Sequence, residues 1–316
     1  MLTEKTNSRF ISLRLVKKSD IMRIGYACIA VGVEGANQRA CIKKNASSDK
    51  LAELIEHNLN ALETIIDYNA ANKIFLFRIS SGLIPFGSSH VNRIPWQKIF
   101  KSKFQTIGKK ILDYKMRVSM HPGQYTVLNS PNSDTVKNAV EDLRYHSKVL
   151  DCLGVPGSHK IIMHIGGIYG DKKNAIKRFI KNYYLLDENI RKRMVVENDD
   201  KCYNINEVLT IGKIIKAPVV FDNLHNEINY FDKSKSELYW INKCGKTWNR
   251  QKDGIQKIHY SQQDPNNKKG AHSQTIDVEK FSEFYKLLNR KNIDIMLEVK
   301  DKNNSAIKCI ERINQS

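Results

Sequence analysis

Eight short apolar runs recur along the chain, each followed by a longer stretch with a different spacing of apolar positions. The runs are Arg23–Ala27, Ile74–Ile79, Arg117–Met120, Lys160–Ile165, Met194–Asn198, Pro218–Asp222, Gln256–Tyr260 and Asp294–Val299. They are largely continuous in apolar character and mostly rich in Val, Ile or Met, as strands buried on both faces of a parallel sheet are. Between them the spacing turns helical. Asp49–Tyr68 places Leu51, Leu54, Ile55, Leu59, Leu62 and Ile66 on one stripe, with Asp49 as the expected N-cap. Ser133–Leu153, Lys172–Glu188, Asn204–Lys216 and Asp277–Asn289 read likewise, and a shorter helix is expected around Glu237–Asn242. Strand then helix, eight times over, predicts an α/β protein built as a single (β/α)8 TIM barrel. An open doubly wound sheet is the alternative. The count of eight argues against it, as does the lack of a Gly-rich phosphate fingerprint after the first run. The barrel domain is assigned to residues 22–316.

Residues 1–21 read as an N-terminal extension of uncertain role. Arg9–Lys18 is basic and apolar, but Arg14 interrupts it and no small-residue cleavage site follows, so it makes a poor secretory signal. Organellar targeting by this stretch stays open; in a prokaryote the expected location is the cytoplasm, in association with the nucleoid. No apolar run approaches the roughly 18 residues of a membrane-spanning helix. The six cysteines form no CxxC pair and are expected to be free thiols.

Charge changes the picture more than composition does. Lys and Arg number 52 against 33 Asp and Glu, a net +19. Such a balance favours a polyanionic partner, because basic side chains release counterions from a phosphate backbone. A general solubility charge and a membrane surface are the alternatives, but no basic amphipathic anchor stands out.

In a barrel the reactive groups sit at the C-terminal ends of the strands and in the loops that follow. His90, His121, His164, His225, His259 and His272 all fall there, with Glu197, Asp222 and Glu298. His57, His146 and His159 lie elsewhere and read as structural. Each of the six site histidines has a bland reading on its own. Nine imidazoles and carboxylates in one concave site, however, call for cations to hold them together. A mixed His/Asp/Glu set suits Zn²⁺, Mn²⁺ or a similar ion, and nine ligands exceed what one ion needs, so two or three ions are expected. Clustered ions suit phosphoryl transfer, which with the net charge points to phosphodiester hydrolysis.

The motifs are RIGYAC (23–28), LFRISSGLIPFGSSH (76–90), SMHPGQY (119–125), HIGGIYG (164–170), VVENDD (195–200), VVFDNLHN (219–226), KIHYSQQDP (257–265), GAH (270–272) and LEVK (297–300). In this order they resemble the UV damage endonuclease family of TIM-barrel DNA repair enzymes, over nearly the whole length from Met22. The resemblance implies a monomeric endodeoxyribonuclease acting on damaged double-stranded DNA. It would nick immediately 5′ of cyclobutane dimers and 6-4 products, act at abasic sites in some members, and leave a 3′-hydroxyl. It implies a three-metal site on His90, His121, His164, Glu197, Asp222, His225, His259, His272 and Glu298. Mn²⁺ is the expected ion, with Zn²⁺, Co²⁺ or Mg²⁺ as alternatives. Lys257, Glu197 and His259 carry over as catalytic, with Lys257 beside the metals and open to carboxylation. Gln124 and Tyr125 carry over as a wedge opposite the lesion, and Tyr26 as part of the lesion pocket. Their position also fits: Pro122 and Gly123 force a turn that projects an amide and an aromatic from the rim, suited to entering a base stack. Arg78 and the lysines of NNKKG (266–270) are candidate phosphate contacts. Two departures stand out. Ala30 replaces a polar residue of the lesion pocket, and an ungapped alignment with some members places Ser89 where His90 is assigned. An abasic-site endonuclease of the endonuclease IV type, a sugar isomerase on the same barrel and a non-catalytic damage-binding protein are the competing readings.

Overall fold

The computed structural model describes residues 22–289 and 292–315; the expectations for residues 1–21 lie outside it. Eight strands form a closed parallel barrel in sequence order. They are β1 Ile24–Ala27, β2 Leu76–Ile79, β3 Arg117–Met120, β4 Ile161–His164, β5 Met194–Glu197, β6 Val219–Asp222, β7 Gln256–Tyr260 and β8 Ile293–Leu297. Closure is made by β8 on β1, with Ile24 opposite Ile295 and Tyr26 opposite Leu297.

The helices surround the barrel. They are α1 Ser48–Ala71, α2 Trp96–Ile99, α3 Lys101–Asp113, α4 Ser133–Cys152, α5 Lys172–Tyr184, α6 Glu188–Arg191, α7 Ile205–Ile215, α8 Asn223–Ile228, α9 Glu237–Gly245, α10 Arg250–Asp253, α11 Val278–Leu287 and α12 Asn303–Asn314. Several differ from the sequence reading, which did not single out α2, α8, α10 or α12. Ser47, not Asp49, caps α1, its hydroxyl accepting from the Lys50 N–H; Asp49 sits in the first turn, where its charge favours the helix dipole. The expected Lys172–Glu188 helix stops at Tyr184, and a separate turn begins at Glu188. The pattern reading did not single out α3, whose Phe104, Ile107 and Ile111 are buried among lysines and a central Gly108.

Apolar burial occurs in two layers. The outer layer, between strands and helices, includes Ile24, Tyr26, Phe77, Ile79 and Val118. Inside the barrel are two small clusters, Ala27–Leu76–Met296 and Ile162–Val195–Val220. Alternation along each strand separates the layers. The N-terminal end of the barrel is shut by Arg117. Its Nη1 donates to Asp294 Oδ2 at 2.8 Å and its Nη2 to the Asp253 carbonyl at 2.8 Å. Among the described residues no helix is long and apolar enough to cross a membrane, and Cys28, Cys41, Cys152, Cys202, Cys244 and Cys309 are all free.

His159 gives this floor a pH dependence. Its buried Nδ1 accepts from the Val118 N–H at 3.0 Å, so the ring is neutral. Burial, helped by the Arg117 guanidinium, lowers its pKa from 6.5 to about 3. Below pH 6.5 the unfolded chain takes up a proton that the folded chain refuses. Stability therefore falls as pH drops from 6.5 towards 3, by up to about 1.4 kcal/mol per unit. Urea midpoints at pH 7 and pH 5 should fall further for the wild-type chain than for His159→Gln; parallel falls would contradict this account.

Candidate metal centre

Glu197 ends β5 and is fully buried at the centre of the C-terminal mouth. Its Oε1 lies 2.7 Å from His259 Nδ1, and its Oε2 lies 3.1 Å from His121 Nε2. His164 Nε2 is 3.9 Å and His225 Nδ1 3.8 Å from the same carboxylate. Asp222 ends β6 and caps α8 by accepting from the His225 N–H at 2.8 Å, which fixes the turn that brings His225 back over the barrel. On the β8 side, Glu298 Oε1 is 3.3 Å from His259 Nδ1 and its Oε2 is 3.7 Å from His272 Nε2. Among the described residues, two triplets hold ligand atoms within 4.8 Å of one another: His121, His164 and Glu197; and Glu197, Asp222 and His225. Glu197 belongs to both.

Neighbouring groups set the orientation of these rings. His225 Nδ1 donates to the Asn198 carbonyl at 3.0 Å, and His121 Nδ1 to the Pro122 carbonyl at 3.0 Å. A carbonyl can only accept, so Nδ1 carries the proton in both of these hydrogen bonds. The Asn198 side chain brackets Asp222, accepting from its N–H at 2.9 Å and donating to its carbonyl at 3.1 Å. Sequence reasoning did not single out Asn198, although a polar amide following Glu197 at a buried strand end was the available signal.

The electrostatics are those of a cation site. Burial acts to raise Glu197, yet His259 and His164 hold it well below the ordinary carboxylate range. Burial raises Asp222. His164 is pushed down to about 4 by burial, whereas for His225 burial is outweighed by Asp222 and Glu197, which lift it to about 9. His164 Nδ1, His259 Nε2 and Asp222 Oδ2 are buried without a hydrogen-bond partner. Orphaned acceptors of this kind are costly in a finished interior, and they are the atoms divalent ions take. The donor set therefore fits a group of divalent ions.

Eight of the nine expected ligands converge on this mouth; His90 does not. It is exposed and lines a separate groove with Glu141, Arg144 and Asp187, because the segment after β2 runs outward over α4. Tyr26 is also placed differently. It faces the outer layer, fully buried, with its hydroxyl donating to Asn69 Oδ1 of α1 at 2.8 Å and its ring against Phe77. It packs the wall and lines no lesion pocket. Arg78, expected at the rim, is instead paired with Glu298 at the mouth. Lys257 lies on the same face of β7 as His259, one side-chain layer below. It is fully buried, its Nζ has no hydrogen-bond partner, and burial together with the Arg117 charge holds its pKa well below the usual lysine range.

Gln124 and Tyr125 project from the rim after β3, and Tyr125 is 68% exposed. A Cβ on Gly123 would lie 2.5 Å from Tyr125 Cε1, so the ring folds back closely over that glycine. Behind this loop runs a buried tie that sequence reasoning missed. Thr126 donates to Asp142 Oδ2 at 2.6 Å, the His146 ring meets the Asp142 carbonyl at 2.6 Å and Ser81 Oγ at 2.9 Å, and Ser81 Oγ donates to the His121 carbonyl at 2.8 Å. His146, a structural histidine by position, thus braces both the rim loop and a ligand. Tyr169, Tyr230 and Phe231 add exposed aromatic surface in the loops after β4 and β6, and Lys268 and Lys269 are exposed after β7.

Similarity to known proteins extends along nearly the whole described chain. The family model for UV-endonuclease UvdE matches residues 22–315. A UV DNA damage endonuclease of Clostridium perfringens is 46% identical over 296 residues, 93% of this chain and 71% of that protein. One from Bacillus cereus is 33% identical, covering 93% and 95%. The crystal structure of SacUVDE superposes with a TM-score of 0.87 at 34% identity, over 93% of this chain and 99% of that one. Endonuclease IV from Thermus thermophilus, at 13% identity and a TM-score of 0.57, shares the fold. With its barrel, its mouth of imidazoles and carboxylates and its full-length match in agreement, the chain belongs to the UV-endonuclease UvdE family.

Proposed function

We propose that this nuclease nicks duplex DNA immediately 5′ of UV photoproducts, and at abasic sites, leaving a 3′-hydroxyl. The observation that carries the reading is Glu197 belonging to two candidate ligand triplets at once, an arrangement suited to two neighbouring ions that assist in-line displacement at a phosphodiester. His121, His164, Glu197, Asp222 and His225 would hold one pair of ions, and His259, His272 and Glu298 a further one, Mn²⁺ being the first candidate. Bound there, the ions supply Lewis acidity that lowers the pKa of a water nucleophile and neutralises charge on the phosphate. The chain's own residues do the positioning. Glu197 orients His259 and His121, Asn198 and Asp222 fix His225, and Arg78 compensates Glu298. Lys257, held as a neutral amine, is in the form that adds carbon dioxide: Nζ bonds to the carbon and one proton leaves, giving a carbamate beneath the ligand layer. The protein works as a monomer on this reading.

The test is a nicking assay on three end-labelled duplexes, carrying a single cyclobutane dimer, an abasic site or no lesion, with Mn²⁺ and then with EDTA. A metal-dependent cut directly 5′ of the dimer supports the proposal. Cutting at the abasic site alone would favour an activity of the endonuclease IV type, and no cutting would reject a nuclease of this specificity.

Gln124 and Tyr125 are proposed as the wedge that reads damage. Stacking of a base on an aromatic side chain contributes about 1–3 kcal/mol, and about 1.4 kcal/mol is a factor of ten. The double alanine variant should therefore lose roughly tenfold or more in its preference for dimer-containing over intact duplex, with binding to intact duplex unchanged. An equal loss on both duplexes in a competition assay would remove the wedge.

A further inference from the structure

After β8 delivers Glu298, the chain runs through Lys300, Asp301 and Lys302 into α12. Lys302 has φ 51° and ψ −110°, a conformation that suits glycine and costs a lysine on the order of 1–3 kcal/mol. The surrounding structure imposes it from both sides. Before Lys302, the Lys300 N–H donates to the Ser273 carbonyl at 3.1 Å and the Asp301 N–H to the Gln274 carbonyl at 3.0 Å. After it, buried Asn303 accepts from the Val31 N–H at 2.6 Å and donates to the Val31 carbonyl at 3.1 Å and the Tyr68 hydroxyl at 3.0 Å. The segment is thus clamped to the loop after β1 and the loop after β7.

Strain held this firmly points to a use for the side chain it aims, and inside the protein Lys302 has none. The side chain is half-buried, yet it makes no hydrogen bond or ion pair with any described residue. The other cations nearby are matched: Arg78 is paired with Glu298, and Lys300 lies 3.4 Å from Asp264. The segment's hydrogen bonds to the loops after β1 and β7 place it at the β1–β8 side of the mouth. A partly desolvated ammonium with no carboxylate of its own, on the rim of a phosphodiester-cleaving site, is built to meet an anion from outside.

We infer that Lys302 is a substrate-binding residue whose ammonium contacts a backbone phosphate of the duplex on the β1–β8 side of the mouth. The inference rests on the nuclease reading above. It makes Lys302, rather than Arg78, the phosphate contact in this quadrant. The contact is independent of base sequence and of the lesion.

The test is fluorescence anisotropy of a labelled intact duplex, titrated with the metal-loaded full chain from 50 to about 300 mM NaCl. Lys302→Gln should lower the slope of log K against log salt by about 1, since one phosphate contact is lost. Lys302→Arg should keep it. Lys302→Gly separates binding from structure. Glycine accepts φ 51° freely, so this variant should melt higher than wild type while showing the same reduced slope. A merely structural lysine predicts wild-type binding by the glycine variant. Wild-type slopes in both the Gln and Gly variants would overturn the inference and leave the nuclease reading standing. A wild-type chain with no salt-dependent DNA binding would overturn both.

Discussion

Glu197→Gln is expected to leave the barrel folded and to suppress nicking by about a thousandfold or more, the scale seen when one member of a cooperating catalytic set is removed. The change is isosteric and removes one negative charge from the carboxylate common to both ligand triplets. It also gives the side chain an amide nitrogen, which donates hydrogen bonds and coordinates metals poorly. His259 Nδ1 and His121 Nε2 lose the anion that orients them at 2.7 and 3.1 Å. Two measurements check this together. Single-turnover cleavage should fall to near background, and metal content by elemental analysis should drop by at least one ion per chain, with the thermal midpoint of the metal-free protein little changed. Wild-type metal content with full activity would remove Glu197 from the centre. Because ion binding stabilises the folded state by mass action, the wild-type midpoint should also rise with added Mn²⁺ by more than that of the variant.

The second large effect is expected at Lys257, where stability and activity should move in opposite directions. Its amine is fully buried with no hydrogen-bond partner, a state that costs on the order of 1–3 kcal/mol. Lys257→Met fills the same slot without a polar atom, so the variant should be more stable than the parent by about that amount. The difference is pH-dependent. With the folded pKa lowered by burial, the unfolded chain holds a proton that the folded chain lacks throughout the range between the lowered pKa and the ordinary 10.5. Wild-type stability therefore rises with pH across that range, and the methionine variant should lose this slope. Activity should instead fall by two or more orders of magnitude, and added bicarbonate should stimulate the wild-type enzyme alone. A methionine variant that cuts normally would leave Lys257 as packing only.

Much of the fold was legible because a barrel repeats one unit and because its strands are buried on both sides. All eight runs mark strands to within two residues at either end. The same continuous burial explains what was misplaced. In a strand that is apolar on both faces, spacing reveals alternation but not which set points inward. Polar residues settled the question at Glu197, Asp222 and His259, since a carboxylate or imidazole at a strand end has its partners in the mouth. At β1 the Tyr26 hydroxyl had an unforeseen outer partner in Asn69, and the reading inverted. Arg78 was assigned to the correct strand end without its partner inside the protein, because its ion pair with Glu298 spans 220 residues and leaves no local trace. His90 failed for another reason. It lies eleven residues beyond β2, and position within so long a connection is set by packing against α4, which neither spacing nor residue type encodes. Ser47 outcompeted Asp49 at the α1 cap because the helix begins at Ser48, three residues before the first residue of its apolar stripe, Leu51.

The candidate ligands enter the mouth in chain order, from His121 after β3 to Glu298 after β8, and the sheet closes only when β8 meets β1. A chain still being synthesised, at roughly 5–20 residues per second, therefore passes most of its growth with an open sheet and an unfinished ligand set. The same holds for a copy cut short by proteolysis. A phosphodiester-cleaving activity loose in a cell endangers the genome it serves. On the reading proposed above, the ion-binding set is complete only once the last strand has closed the sheet, so a copy lacking β8 is expected to hold fewer ions and to cut poorly.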